Sequence, residues 1–122
     1  MGDTTISPFD RPAERQSRMI YEERDYRIKA GKLKTFVDHY EKSGLAIQKK
    51  HLGTFIGYFV SEIGELNHVV ALWGYQDLND RLARRATMMA DPDWQAYLAL
   101  VDGLIDLQNS RILLPTGFSP LQ

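Results

Sequence analysis

Glu22, Arg24 and Tyr26 stand at alternate positions in a stretch rich in Ile and Tyr, so a strand there would send all three side chains to one face. An acid, a guanidinium and a phenol on one wall of a partly dry cleft could hold a carboxylate or phenolate and move a proton. In that scheme Glu22 is the base and Arg24 stabilises negative charge. The structural alternative, which carries more weight for such a trio, is a Glu22–Arg24 ion pair beside a hydrogen-bonded tyrosine. Glu23 and Asp25 occupy the other face, so alternation leaves open which face is the inner one.

His68 is the fourth candidate for catalysis, a proton-transfer group on a predicted hairpin, with His51 just before that hairpin as a second. A solvated or hydrogen-bonded histidine at a strand end is the plainer account of both. No two of His39, His51 and His68 stand at metal-ligand spacing such as i, i+4 on a helix, and no metal site is expected. Tyr58, Asn67, Trp73 and Arg111 are the candidate ligand-binding residues, although a tryptophan like Trp73 more often packs a core than stacks on a ligand. Arg81, Arg84 and Arg85 could take a phosphate or carboxylate; pairing with Asp77 and Asp80 on a solvated helix face is the simpler reading.

Several chemistries drop out. The chain has no cysteine, which removes thiolate nucleophiles, zinc–thiolate sites and disulfides together. It has no Gly-x-Ser-x-Gly elbow, no phosphate-binding glycine loop and no dinucleotide fingerprint, so no cofactor is implied. With 15 Lys+Arg against 16 Asp+Glu there is no basic excess for binding phosphate backbones, and nucleic acid is not expected as a partner. No apolar run approaches the roughly 18 residues of a membrane span, and residues 1–17 lack the apolar core of a signal peptide. These features predict a cytoplasmic protein with a flexible arm over 1–17 followed by one domain over 18–122.

The elements that position the candidates follow from periodicity. Residues 19–28 predict the first strand, ending at Lys29-Ala30-Gly31. Leu33, Phe36, Val37 and Tyr40 then fall at i, i+3, i+4 and i+7, one face of a helix beginning near Lys32, which Ser43-Gly44 should break or kink before a further turn over 45–50. Residues 54–62 and 66–75 are β-branched and aromatic runs joined by Ile63-Gly64-Glu65, a hairpin. A second helix starts at Asp77 or Asp80, with Leu78, Leu82, Ala86 and Met89 expected inside and the three arginines outside or at the edge. Asp91-Pro92 caps a third helix whose stripe is Trp94, Tyr97, Leu98 and Val101. A last strand falls within 107–114 and stops at Pro115.

Strand, helix, hairpin, helices, strand is the ferredoxin-like βαββαβ order of the α+β class, a four-stranded antiparallel sheet with its helices on one face. The hairpin strands read as apolar on both faces. Phe55 and Phe59 oppose Ile56, Tyr58 and Val60 in the first, and Leu66, Val70 and Leu72 oppose Val69, Ala71, Trp73 and Tyr75 in the second. The helix-free face should therefore meet another sheet, which only a second copy can supply. A homodimer, or a higher homo-oligomer, with a ligand pocket between the two sheets is the expectation.

The motifs carry a resemblance as well. Ile20-Tyr21-Glu22 with Arg24 and Tyr26, Gly44-Leu-Ala-Ile-Gln-Lys-Lys-His-Leu-Gly53, Ile63-Gly-Glu-Leu-Asn67 with Leu72-Trp73 and Tyr75, Ala90-Asp-Pro-Asp-Trp94, and Ser110-Arg-Ile-Leu-Leu-Pro115 with Phe118-Ser-Pro120 occur in the order of NIPSNAP-family signatures. Over about residues 19–120 the chain resembles that family. The resemblance implies a dimeric α/β barrel and relatives whose activities are mostly unassigned. Glu23 stands where the family usually has an apolar residue, and Ala71 where it often has histidine.

Two functions are compatible with these features. One is a cofactor-free enzyme acting on a small aromatic or acidic metabolite in the barrel, with Glu22, Arg24, Tyr26 and His68 converging on a pocket. The other is a non-enzymatic ligand-binding or protein-interaction module with a filled interior and an exposed apolar or charged patch.

Overall fold

The computed structural model describes residues 18–122, so the predicted arm over 1–17 lies outside the described residues. Strand β1 spans Ile20–Ile28, and Gly31, at φ 82°, turns the chain into helix α1, Leu33–His39. The expected break at Ser43-Gly44 is a π-helical turn over Tyr40–Gly44, after which α2 runs Leu45–His51. At Gly53 the chain passes so close to Gly74 that a Cβ would run into its carbonyl oxygen. Strands β2 (Thr54–Val60) and β3 (His68–Tyr75) form the hairpin. Its connection includes Gly64 at φ 104° and Asn67 at φ 63°, the left-handed region that asparagine tolerates better than most residues.

Helix α3, Leu78–Met89, begins at Asp77, whose side chain accepts the Asp80 amide at 2.7 Å. Asp91 caps α4, Pro92–Leu100, by accepting from the Asp93 amide, with Pro92 in the first turn as expected. Strand β4, Ile105–Leu113, starts two residues earlier than the sequence suggested. The sheet order is β2-β3-β1-β4 with every pair antiparallel. This is the predicted ferredoxin-like α+β fold. Among the described residues no helix is long and apolar enough to cross a membrane.

Register fixes what each face carries. Val69, Ala71, Trp73 and Tyr75 pack with Phe36, Tyr40, Met88, Trp94, Tyr97 and Val101 in the core under the helices. Glu22 lies opposite Trp73, Arg24 opposite Ala71 and Tyr26 opposite Val69, so the acid–guanidinium–phenol trio also faces the helices. The other face carries Ile56, Phe59, Val70 and Leu72 beside Glu23, Asp25, Arg27 and Arg111. The C-terminal segment returns to it, where the buried Tyr21 hydroxyl donates to the Gln122 carbonyl at 2.6 Å.

Two assignments of side chains to faces need correction. A register shift between Phe55 and Gly57 puts Phe55 and Tyr58 together on the helix side, opposite Trp73 and Ala71, and sends Phe59 to the other face. An irregularity of this kind moves the residues after it to the opposite side of the pleat, which strict alternation cannot anticipate. Helix α3 is turned relative to its apolar stripe. Leu78 and Leu82 are 60% and 67% exposed, Ala86 and Met89 are also exposed, and Met88 is the buried residue. Its arginine edge faces the sheet instead, because a carboxylate is buried there.

Candidate functional site

That carboxylate is Glu22, 0% exposed in the middle of β1. An unpaired charge at such a site would be prohibitive, and four donated hydrogen bonds compensate it. Arg81 of α3 grips it with two, Nε to Oε1 at 3.1 Å and a terminal nitrogen to Oε2 at 2.8 Å. Arg24 donates to Oε2 at 2.8 Å, and Ser110 of β4 donates its hydroxyl to the same oxygen at 2.5 Å. Burial pushes the Glu22 carboxyl up, but Arg81, Ser110 and Arg24 together outweigh it and bring it down to about 2. With both oxygens engaged and the proton held off so strongly, Glu22 is built to orient arginines rather than to accept a proton.

Arg24 is the link from this cluster to open space. Its Nε donates to the Tyr26 hydroxyl at 2.5 Å, which leaves the phenolic proton free to be given elsewhere. Burial lowers the Arg24 pKa, but the Tyr26 oxygen and the Glu22 carboxylate more than offset this, so the guanidinium keeps its charge.

Arg24 and Tyr26 line a cavity of about 250 Å³ between the sheet and the helices. Its floor is Ala71, set between Arg24 on one neighbouring strand and Tyr58 on the other. A small residue between two large ones leaves the hollow. Its walls are aromatic. Tyr40, in the π-helical turn, stacks on Tyr58 with centroids 4.2 Å apart, and Trp94 stacks on Tyr97 at 4.9 Å. Tyr40 donates to Gln48 at 2.5 Å, and burial pushes the hydroxyls of Tyr40, Tyr58 and Tyr97 well above the ordinary phenol range, so they remain protonated. Two buried donors on these walls, Trp73 Nε1 and the Tyr58 hydroxyl, have no hydrogen-bond partner among the described residues. Buried polar atoms in native proteins are nearly always paired, so these two are exceptions to the rule.

The structure thus brings together four of the eight residues singled out from sequence, Arg24, Tyr26, Tyr58 and Trp73, with Glu22 directly behind them. The pocket lies between sheet and helices, not between two sheets as expected, because β1 turns its even-numbered side chains towards the helices. The other three lie apart from it. His68 sits on the helix-free side, its Nδ1 2.7 Å from Asp25 and its Nε2 3.1 Å from Glu65. Arg111 pairs with Glu23 at 2.8 Å on that face. Asn67 shapes the hairpin, and its carbonyl accepts from the Ile28 amide. His51 bonds Asp91 at 2.7 Å, at the start of α4. Among the described residues no group of three His, Asp or Glu side chains is placed to hold a metal ion.

Sequence reasoning missed Arg81 as a partner of Glu22 and Arg85, Gln48, Tyr40 and Tyr97 as cavity residues. The usable signal was numerical. Three arginines crowd one turn of α3, and a strand glutamate on the helix side needs at least one of them.

The sequence profile of the NIPSNAP family matches residues 21–120. Protein NipSnap of Drosophila melanogaster is 34% identical over 110 residues, which cover 90% of this chain and 40% of that protein. The chain spans about two fifths of the length of most of the curated relatives it matches. Among solved structures, a NIPSNAP family protein with unknown function from Agrobacterium tumefaciens is 43% identical at a TM-score of 0.84, covering 87% of this chain and 96% of that one. A putative antibiotic biosynthesis monooxygenase from Nitrosomonas europaea, 11% identical at a TM-score of 0.60 over 87% of this chain and 96% of that one, shares the fold.

Proposed function

The chain belongs to the NIPSNAP family, and from that premise we propose that it binds a small aromatic metabolite between its sheet and helices and shifts a proton on it without a cofactor. The observation that carries this reading is the aromatic cavity with the Arg24–Tyr26 pair in its wall and two unpartnered donors, Trp73 Nε1 and the Tyr58 hydroxyl, around it. At about 250 Å³ it lies below the size of drug-sized pockets, which suits a ligand of roughly one ring. Tyr26 gives its proton to the ligand, Arg24 holds the resulting phenolate, and the proton returns from another ligand atom, so the cycle balances as a tautomerisation. Glu22 is a positioning residue that fixes Arg24. His68, on the far side of the sheet, has no part in this step.

The same reading includes a homodimer in a reducing, cytoplasmic setting. The helix-free face, with Phe59, Val70 and Leu72 among its charges, supplies the surface a second sheet would cover.

Ala71→Phe tests the cavity without touching its polar groups. The larger side chain fills the space between Arg24 and Tyr58, at an overpacking cost of about 1–3 kcal/mol. The variant should fold and lose the thermal stabilisation that single-ring aromatics give the original protein. An Ala71→Phe protein that responds to those ligands as the original does would show that they bind elsewhere.

A further inference from the structure

Helix α3 carries three arginines, and two are committed within the protein. Arg81 is bound to Glu22; Arg84 donates to Asp80 at 2.8 Å and to the Leu52 carbonyl at 3.3 Å. Arg85 has no hydrogen-bond or ion-pair partner among the described residues, yet it is half-buried and lines the cavity. Among the described residues no Asp or Glu lines that cavity with it. Glu22, the nearby carboxylate, is already shared between Arg24 and Arg81, and Arg24, Arg81, Arg85 and Glu22 all lie within electrostatic range of the Tyr75 hydroxyl. One buried anion therefore faces three guanidinium cations. A partly desolvated cation without a counter-charge is unfavourable, and an anion entering the cavity removes that cost.

We infer that the ligand is an aromatic or conjugated carboxylate whose carboxylate is anchored by Arg85 while its ring lies among Tyr26, Tyr40, Trp73 and Tyr97. The inference rests on the cavity reading above and adds the ligand's charge class and the residue that reads it. The planar guanidinium fork matches a carboxylate with two parallel hydrogen bonds. The ring walls accept a flat apolar body. Arg85 is thus a specificity-determining residue, separate from the Arg24–Tyr26 pair that handles the proton.

Calorimetric titration of the full chain with benzoate and cinnamate, each beside its neutral amide, tests this, together with the Arg85→Gln variant. Because Arg85 has no hydrogen-bond or ion-pair partner among the described residues, the variant removes a charge without breaking a pair there. The acids should bind on the order of ten- to a hundredfold more tightly than the amides. Arg85→Gln should erase that preference, weakening the acids far more than the amides. If amides bind as tightly as acids, or if the preference survives in Arg85→Gln, the Arg85 assignment is overturned while the cavity reading stands. If neither acids nor amides bind the original protein, both fall together.

Discussion

Glu22 organises the polar chemistry while remaining outside the cavity, and its protonation sets a pH dependence on the fold. Its pKa falls from an ordinary 4.5 to about 2 in the folded chain because Arg81, Ser110 and Arg24 outweigh burial. A depressed folded pKa means the contribution is complete above about pH 4.5 and is lost as pH falls towards 2; its size is about 3 kcal/mol. Glu22→Gln should therefore lower stability at neutral pH by about that amount and flatten the slope of unfolding free energy between those pH values, read by urea denaturation at a series of pH values. A variant that keeps the acid slope of the original would remove Glu22 as its source. The alternation of Glu22, Arg24 and Tyr26 was legible from sequence, and so was their sharing of one face. Which face that is was not, since it depends on Arg81, 59 residues away along the chain.

At the scale of elements, the same carboxylate explains why α3 defies its own pattern. Leu78, Leu82, Ala86 and Met89 form a helical stripe that ordinarily marks a buried face, yet Leu82 is largely exposed and Arg81 points to the sheet. Apolar periodicity measures hydrophobic burial and is silent about a buried ion that must be met. Leu82→Ala decides between the two orientations. It should cost no more than about 0.5 kcal/mol at a surface position, against about 2–5 kcal/mol if Leu82 were in the core, by equilibrium denaturation. The other elements follow their signals closely. Asp77 and Asp91 cap as Asp caps should, and Gly44 falls in the π-helical turn where the helix was expected to kink. Strand β2 departs because its register shift turns Tyr58 into the cavity wall, and bulge-like irregularities leave little trace in a run of aromatic and β-branched residues.

For the molecule as a whole, the order of the elements was readable from sequence and yielded the fold class, while hairpin strands apolar on both faces raised the expectation of a second copy. The free face is partly covered by the chain's own C-terminal segment, while Phe59 and Leu113 remain exposed. Sedimentation should give twice the chain mass, and Leu72→Asp, which sets a charge in the middle of that face, should give a monomer. A monomeric original protein would show that the helix-free face is not a dimer interface. The pocket was harder to read because the hairpin strands were apolar on both faces and β1 carried charges on both, so the trio of Glu22, Arg24 and Tyr26 could have served either.

The proposed function requires that small aromatics enter the cavity between sheet and helices, and the chain carries its own probe. Both of its tryptophans, Trp73 and Trp94, line that cavity. Titrating single-ring aromatics while following tryptophan fluorescence should give a saturable change in the original protein and none in Ala71→Phe. No saturable change, or the same change in both proteins, would contradict it.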